Sequence, residues 1–597
     1  MDNKIRGIGE IIWQLRIENG LTIEQLSNGI CTISELSKIE QNVIFADCFL
    51  IDRLFARMGK SVERLEYVLT VESYELYELR QLIQEYICSG SYKEAEKLLW
   101  QYEKKKCADR PLHKQYIQQE YAQIEWMCGK NESALEYINI AIEQTMPHIS
   151  KIENGMVLSA MELKLLLFRL EISEEYINCE KLNNILEYIE RKKMSPLEKV
   201  KVYPYAILLY GKAIMEDNYD DKLCWRTKEA LNLLRDTGKV LYLPEILEQY
   251  AVILNSYDVN NKLINILRSE KNSLLHIEEQ YNISFQKYRL YDHVMRRFEI
   301  DSELIRKNRM TLRMTQEKLS ENICTQETLA RIEKGKRSPH TRNFKKLMNK
   351  MGKNGERISA VITTDRYEIL ELKREFAKYA HRNEYDQALS VLNQIEAKLD
   401  CSLPQNYKYV RAERIMISYH NNTEDWQCCL NRLWELLDIR FDWASECICE
   451  QKLSIEEMHI ISSIALIYVE HQEEEKALKI YQLQIKQYNE SRVKSIFHML
   501  EWELAMGNLA TSLEEKKMPG KAIEISQNKI KMSLMSGKGN SLGRSLITIA
   551  CSLEQMNAEK CIDYFNDGLR ILKLFNMDSQ YQSVINYLRG KHIVVDI

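Results

Sequence analysis

The chain is poor in the residues that interrupt helices, with 20 Gly and 8 Pro among 597 residues. Tight turns and strand punctuation draw on both, so their scarcity argues against a turn-rich all-β chain and for long helices with short connections. No apolar run reaches the roughly 18 residues of a membrane-spanning helix, so no membrane partner is expected. The 15 Cys and 11 His include neither a CxxC pair nor an HExxH, so neither metal nor cofactor is expected. No paired-carboxylate, Ser/His/Asp or Cys/His arrangement stands out, so no catalytic residue is assigned and the chain reads as a non-enzyme. The start of the chain has no apolar stretch followed by small residues, so no secretory signal is read. Together with the odd number of scattered thiols, this points to a reduced, cytoplasmic protein.

What the chain does have is an internal repeat. Shifted by 293 residues, the stretch from Thr22 to Glu40 lies over Thr315 to Glu333 with ten identities in nineteen positions and no gap. The register continues through Met58-Gly59-Lys60 over Met351-Gly352-Lys353 and Tyr74-Glu75 over Tyr367-Glu368. The pattern reads as a tandem duplication in an all-α chain, with four units expected. These are a helix-turn-helix head at 1–70, a helical array at 71–293, a second head at 294–363 and a second array at 364–597. No Gly or Pro occurs between Pro244 and Gly335, so a helical connection from the first array to the second head is expected.

In the second head, Thr315 is placed to cap one short helix and Thr325 the next. Leu319, Leu329 and Ile332 are spaced to face a core. Gly335 follows the last periodic residue, where a left-handed C-terminal position is expected, and Pro339 stops the helix from resuming. This leaves Gln326, Glu327, Thr328 and Arg331 on the outer face of the second short helix, as in a recognition helix that enters the major groove. Charge agrees. Residues 294–363 hold 17 Lys/Arg against 8 Asp/Glu, a net of +9, while residues 1–70 carry −2. The whole chain carries −4, so the arrays share the remaining −11. A basic island in an acidic chain is the footprint of phosphate binding, and Lys334, Lys336 and Arg337 follow the recognition helix directly. Arg342, Lys345 and Lys346 lie a little further along.

The run from Met314 to Pro339 resembles the helix-turn-helix of the phage-repressor-like (XRE) regulators. With Ile-Cys between its helices, it is similar to the PlcR-type peptide-sensing (RRNPP) regulators, in which one such head precedes a tetratricopeptide-like array. The resemblance implies a transcription regulator of the quorum-sensing kind that binds double-stranded DNA, senses a signalling peptide or protein partner, and can form a homodimer. It places a phosphate contact on Gln316 and base contacts on Gln326, Glu327, Thr328 and Arg331, and Thr325 is counted with them as a DNA-binding residue. The first head departs from the pattern: Gln316 becomes Ile23, Gln326 becomes Ile33, and Lys334, Lys336 and Arg337 become Gln41, Val43 and Ile44. Thr32, Ser34 and Lys38 remain as weak DNA contacts. Two readings stay open for this head, a weak half-site reader and a docking or dimerisation surface.

The arrays carry Ala at a twelve-residue spacing three times: Ala122 and Ala134, Ala465 and Ala477, Ala510 and Ala522. Small residues at that spacing let antiparallel helices approach closely, which resembles a degenerate tetratricopeptide repeat. In the first array Tyr116, Gln119, Gln123 and Trp126 are expected on the concave side. No residue is assigned to peptide binding. Ser536–Ser541 has some flavour of a phosphate loop but lacks its spacing, and reads as a helix connection. The alternative function is a tetratricopeptide adaptor or inhibitor of another regulatory protein that does not bind DNA.

Overall fold

The computed structural model describes residues 7–63, 65–149, 155–175, 179–214, 221–257, 261–285, 288–292, 296–353, 355–359, 362–437, 453, 455–494 and 499–596. Thirty α-helices and three short strands lie among them. The first head consists of helices Ile8–Glu18, Ile23–Ser27, Ile33–Glu40 and Cys48–Arg57, and the second of Asp301–Thr311, Gln316–Ser320, Gln326–Glu333 and Thr341–Lys350. Each boundary of the first set recurs 293 residues later.

The causes of the boundaries recur as well. Thr22, Thr32, Thr315 and Thr325 each accept a hydrogen bond from the backbone N–H three residues on, which satisfies one of the open donors of the helix start. Two residues after each third helix comes a residue with positive φ, Asn42 at 55° and Gly335 at 69°. The next N–H then turns back, from Val43 to the Lys38 carbonyl and from Lys336 to the Arg331 carbonyl, closing the helix end in the Schellman manner. Arg16 grips Glu40 through two nitrogens at 2.6 and 2.9 Å, and Arg309 grips Glu333 at the same two distances.

The arrays are built from helices in antiparallel pairs. The three alanine pairs sit where neighbouring helices touch: Pro111–Met127 with Asn131–Thr145, Ile455–Glu470 with Glu474–Asn489, and Met499–Glu515 with Pro519–Met535. All six alanines are buried, as close helix approach requires.

The two heads meet in a three-stranded sheet with the order β2-β1-β3, formed by β1 (Glu66–Leu69), β2 (Arg297–Ile300) and β3 (Ile358–Ser359). β1 runs parallel to β2 and antiparallel to β3. Glu66 pairs with Ser359, its own counterpart at the 293-residue shift. A second self-pairing joins the far ends of the arrays. Gly238-Lys239 and Gly537-Lys538 precede equivalent helices, Leu243–Ser256 and Leu542–Gln555. Lys239 bridges Lys538 antiparallel, Val240 N–H donates to the Gly537 carbonyl (3.2 Å), and Gly539 N–H donates to the Gly238 carbonyl (2.8 Å). Equivalent residues that bond reciprocally are what a local two-fold axis produces, here within one chain.

The cores are unequal despite this symmetry. The first head shares one hydrophobic core with the start of the second array, including Tyr367, Leu370, Phe376 and Leu392. The helices of the second head have a small core of their own, which Val68 joins, while Phe298, Ile300, Ile358 and Ile362 at the edges of that head are buried in the first head's core.

The connection expected as a helix is different. Helix Asn261–Gln280 ends before Tyr281, and residues 283–285 and 288–292 carry neither helix nor strand. Absence of Gly and Pro permits a helix but does not drive one. Here burial wins, because Phe285, Tyr288, Leu290 and Tyr291 are all buried in a core built mainly from the first array.

Candidate nucleic-acid interface

Leu319, Leu329 and Ile332 point into the second head together with Ile305, Phe344 and Leu347, all essentially buried. Burial of these side chains fixes the rotation of helix Gln326–Glu333 and turns its opposite face outward. Gln326, Glu327 and Arg331 lie on that outer face and are exposed, with Thr328 half-buried at its edge. Arg331 and Glu327 pair with each other at 2.8 Å on this surface. An exposed pair of this kind contributes little to stability and is readily exchanged for other partners. Thr325 is committed to capping, its hydroxyl accepting from the Thr328 N–H at 3.1 Å.

Lys334, Lys336 and Arg337 emerge from the left-handed turn at Gly335 and are exposed, as are Arg342 and Lys346 on the next helix. Among the described residues none of these five forms an ion pair. Lys345, by contrast, is held by Glu356 at 2.5 Å. Uncompensated positive charge therefore lies directly after this helix, the arrangement that neutralises phosphates.

Gln316 is not presented in the same way. Its side-chain amide donates to Glu333 at 2.7 Å and so joins the Arg309–Glu333 clamp. In this arrangement its amide nitrogen braces the first motif helix against the recognition helix. The clamp was missed in the sequence, although Arg and Glu recur at the same spacing in both heads.

The first head presents a different surface. Thr32, Ser34 and Lys38 are exposed, but Ile33 and Val43 stand exposed at 49% and 61% where the second head has Gln326 and Lys336. The head is also tied down. Arg57 donates to the Leu26 and Asn28 carbonyls of its own turn (3.1 and 2.6 Å) and to Glu162 of the first array (2.6 Å). Burial would raise the Glu162 carboxyl, but Arg57 and Arg53 override it and hold it at about 2. At Gly29 (φ 72°) the turn meets the array so closely that a Cβ would lie 2.2 Å from the Thr145 carbonyl oxygen. The counterpart of Arg57 is Lys350, which stays within the second head, bonded to the Glu321 carbonyl at 3.0 Å.

Of the residues expected on the concave side of the first array, Tyr116, Gln119 and Gln123 are buried against other parts of the chain. Trp126 is half-buried and packs edge-on against Phe168 at 5.2 Å. Ser536–Ser541 connects two helices, as expected, and carries the reciprocal contact with Gly238. Among the described residues no group of His, Cys, Asp and Glu is placed to hold a metal ion. No helix there is long and apolar enough to cross a membrane.

A helix-turn-helix family model matches residues 305–358. No curated protein matches the chain in sequence. Among solved structures, PlcR of Bacillus thuringiensis in complex with the peptide PapR7 and DNA is 18% identical at a TM-score of 0.33, covering 48% of this chain and 99% of that chain. ComR from S. thermophilus, in complex with DNA and its signalling peptide ComS, is 13% identical at 0.30 and covers 49% and 99%. Yeast Tom70 is 12% identical at 0.21 and covers 80% and 96%. These TM-scores and identities are too low to carry function from those proteins to this one. The family match and the geometry agree on one unit: residues 305–358 form a helix-turn-helix domain.

Proposed function

We propose that the chain is a sequence-specific DNA-binding transcription regulator in which the second head reads DNA and the arrays respond to a peptide or protein partner. The supporting observation is the union, in the helix-turn-helix domain, of an exposed recognition face with five neighbouring cations free of ion pairs among the described residues. Gln326 and Arg331 read base edges, while Lys334, Lys336, Arg337, Arg342 and Lys346 contact phosphates. The first head acts as a docking element, because its recognition face is apolar where the second is polar and its turn is fastened to the array. A tandem duplication accounts for the shared helix boundaries and the self-pairing contacts.

The candidate partner site is the groove of the second array, a cavity of about 280 Å³. Tyr409, Glu413, His459, Lys529, Lys538 and Arg544 are among its lining residues. Burial lowers Lys529 to about 8. Burial would raise Glu503, but Lys538 and Lys529 bring it down to about 2. Charges of both signs thus line the groove, with Lys538 already paired with Glu503, so a peptide of mixed charge suits it.

The test is selection from a random duplex pool with the full chain. Recovery of a defined site supports the regulator. Failure to retain any duplex at low salt contradicts it and leaves the adaptor reading in its place.

A further inference from the structure

We infer that residues 283–285 and 288–292 are a built-in ligand of the first array, lodged in the groove that the second array keeps for an external one. The inference rests on the reading of the arrays as ligand-binding surfaces. Backbone without helix or strand needs hydrogen-bond partners from elsewhere when it is buried. Here the array supplies them from three helices. Gln123 on Pro111–Met127 accepts from the Leu290 N–H at 3.2 Å, and Lys164 on Ala160–Ile172 donates to the Tyr291 carbonyl at 2.7 Å. Tyr242, at the start of Leu243–Ser256, donates to the Arg289 carbonyl at 2.6 Å.

The side chains are received as specifically as the backbone. Tyr288 donates its hydroxyl proton to Glu120 at 2.5 Å. Arg289 reaches Glu171 and Glu245, each at 3.1 Å, and lies over the Tyr205 ring. Phe285 and Tyr288 each pack edge to face against Tyr291, with ring centres 5.1 Å apart, and the Tyr291 hydroxyl donates to the Met535 carbonyl at 2.5 Å. Backbone contacts that tolerate any sequence, combined with pockets that do not, are the means by which a helical-repeat groove holds a peptide.

The second array shows what the same surface is without this segment. Tyr409 and Glu413 are the counterparts of Tyr116 and Glu120 at the 293-residue shift. Ser541 and Arg544 are the counterparts of Tyr242 and Glu245 at the 299-residue shift set by Lys239 and Lys538. All four line the cavity of the second array. Arg544 stands where Glu245 receives Arg289, so the two grooves differ in charge at that point and segment 283–292 suits only the first.

The test uses the full chain without DNA and a labelled synthetic peptide with the sequence of residues 283–292, followed by fluorescence anisotropy. The unaltered chain, with this groove filled, should not bind the peptide. The Tyr288→Ala/Arg289→Ala chain should bind it at least roughly tenfold more tightly than a scrambled peptide of the same composition. Binding by the unaltered chain overturns the inference. So does a double variant that melts cooperatively yet shows no preference for the peptide. If the double variant does not melt cooperatively, Arg289→Ala alone is judged by the same two outcomes, since Glu171 keeps Lys212 at 2.7 Å as a partner. Because no DNA is present, a failure of the DNA-binding reading leaves this result unaffected.

Discussion

Lys334 and Lys336 are exposed beside the recognition helix, so replacing both with Ala should weaken binding to all duplexes alike. It should also flatten the dependence of log affinity on log salt by about two phosphate contacts. A salt titration checks this, and a loss confined to one DNA sequence would contradict it. Glu120 gives a residue-scale prediction for stability. Burial raises its carboxyl to about 7, so the folded state binds a proton that the unfolded chain releases near the ordinary carboxylate range. Its contribution is complete at acid pH and is lost as pH rises through about 7. Glu278, raised by burial to about 8, adds a loss of the same sign. Urea unfolding should therefore show stability falling between about pH 5 and about pH 7.5, and Glu120→Gln should reduce that fall. Among the site residues, capping Thr315 and Thr325 and the outward Gln326 and Arg331 were legible in the sequence, because they follow from helix periodicity. The turn of Gln316 toward Glu333 was not, since it depends on a partner seventeen residues away in a second helix.

At the scale of elements, a shared plan has two outcomes. The boundaries of both heads were legible because threonine caps and left-handed turns are local signals. Docking of the first head was not, because it depends on Arg57 meeting Glu162 across 105 residues. Arg57→Ala should cost about 3–5 kcal/mol, since it leaves a buried carboxylate with less compensation. Lys350→Ala, at the equivalent position of the second head, should change stability by no more than about 0.5 kcal/mol. Denaturant unfolding of the two variants compares them directly, and equal losses would contradict the assignment of Arg57, and not Lys350, as a residue that fastens its head to an array. The connection between the halves shows the limit of composition as evidence. Scarcity of Gly and Pro suggested a helix, but the aromatic side chains of 283–292 gain more from the array's pockets than a helix would give. The three strands were also beyond local reasoning, since β1 pairs with segments more than 200 residues away.

At the scale of the molecule, the chain brings its two halves together as two subunits of a symmetric dimer would meet. The self-pairing of Glu66 with Ser359 and of Lys239 with Lys538 supplies within one chain the contacts for which a single-head protein would need a second copy. The chain should therefore behave in solution as a monomer with the mass of one chain, 70.6 kDa, and light scattering measures this. A stable dimer would place the two-fold contact between copies as well. Within the pseudo-dimer the labour is divided. One array holds a segment of the chain and one presents a groove; the helices of one head are fastened to an array through Arg57 and Glu162, while those of the other leave Gln326 and Arg331 facing outward.

The central claim is that the second head reads DNA. It is tested most directly by titrating a selected duplex with the full chain and with the Gln326→Ala/Arg331→Ala variant at two salt concentrations. The account predicts a steep salt dependence for both, with the variant losing roughly 1–3 kcal/mol per base contact on the selected site alone. Equal affinity of the two proteins for that site, or no salt-dependent binding by the unaltered chain, would contradict it.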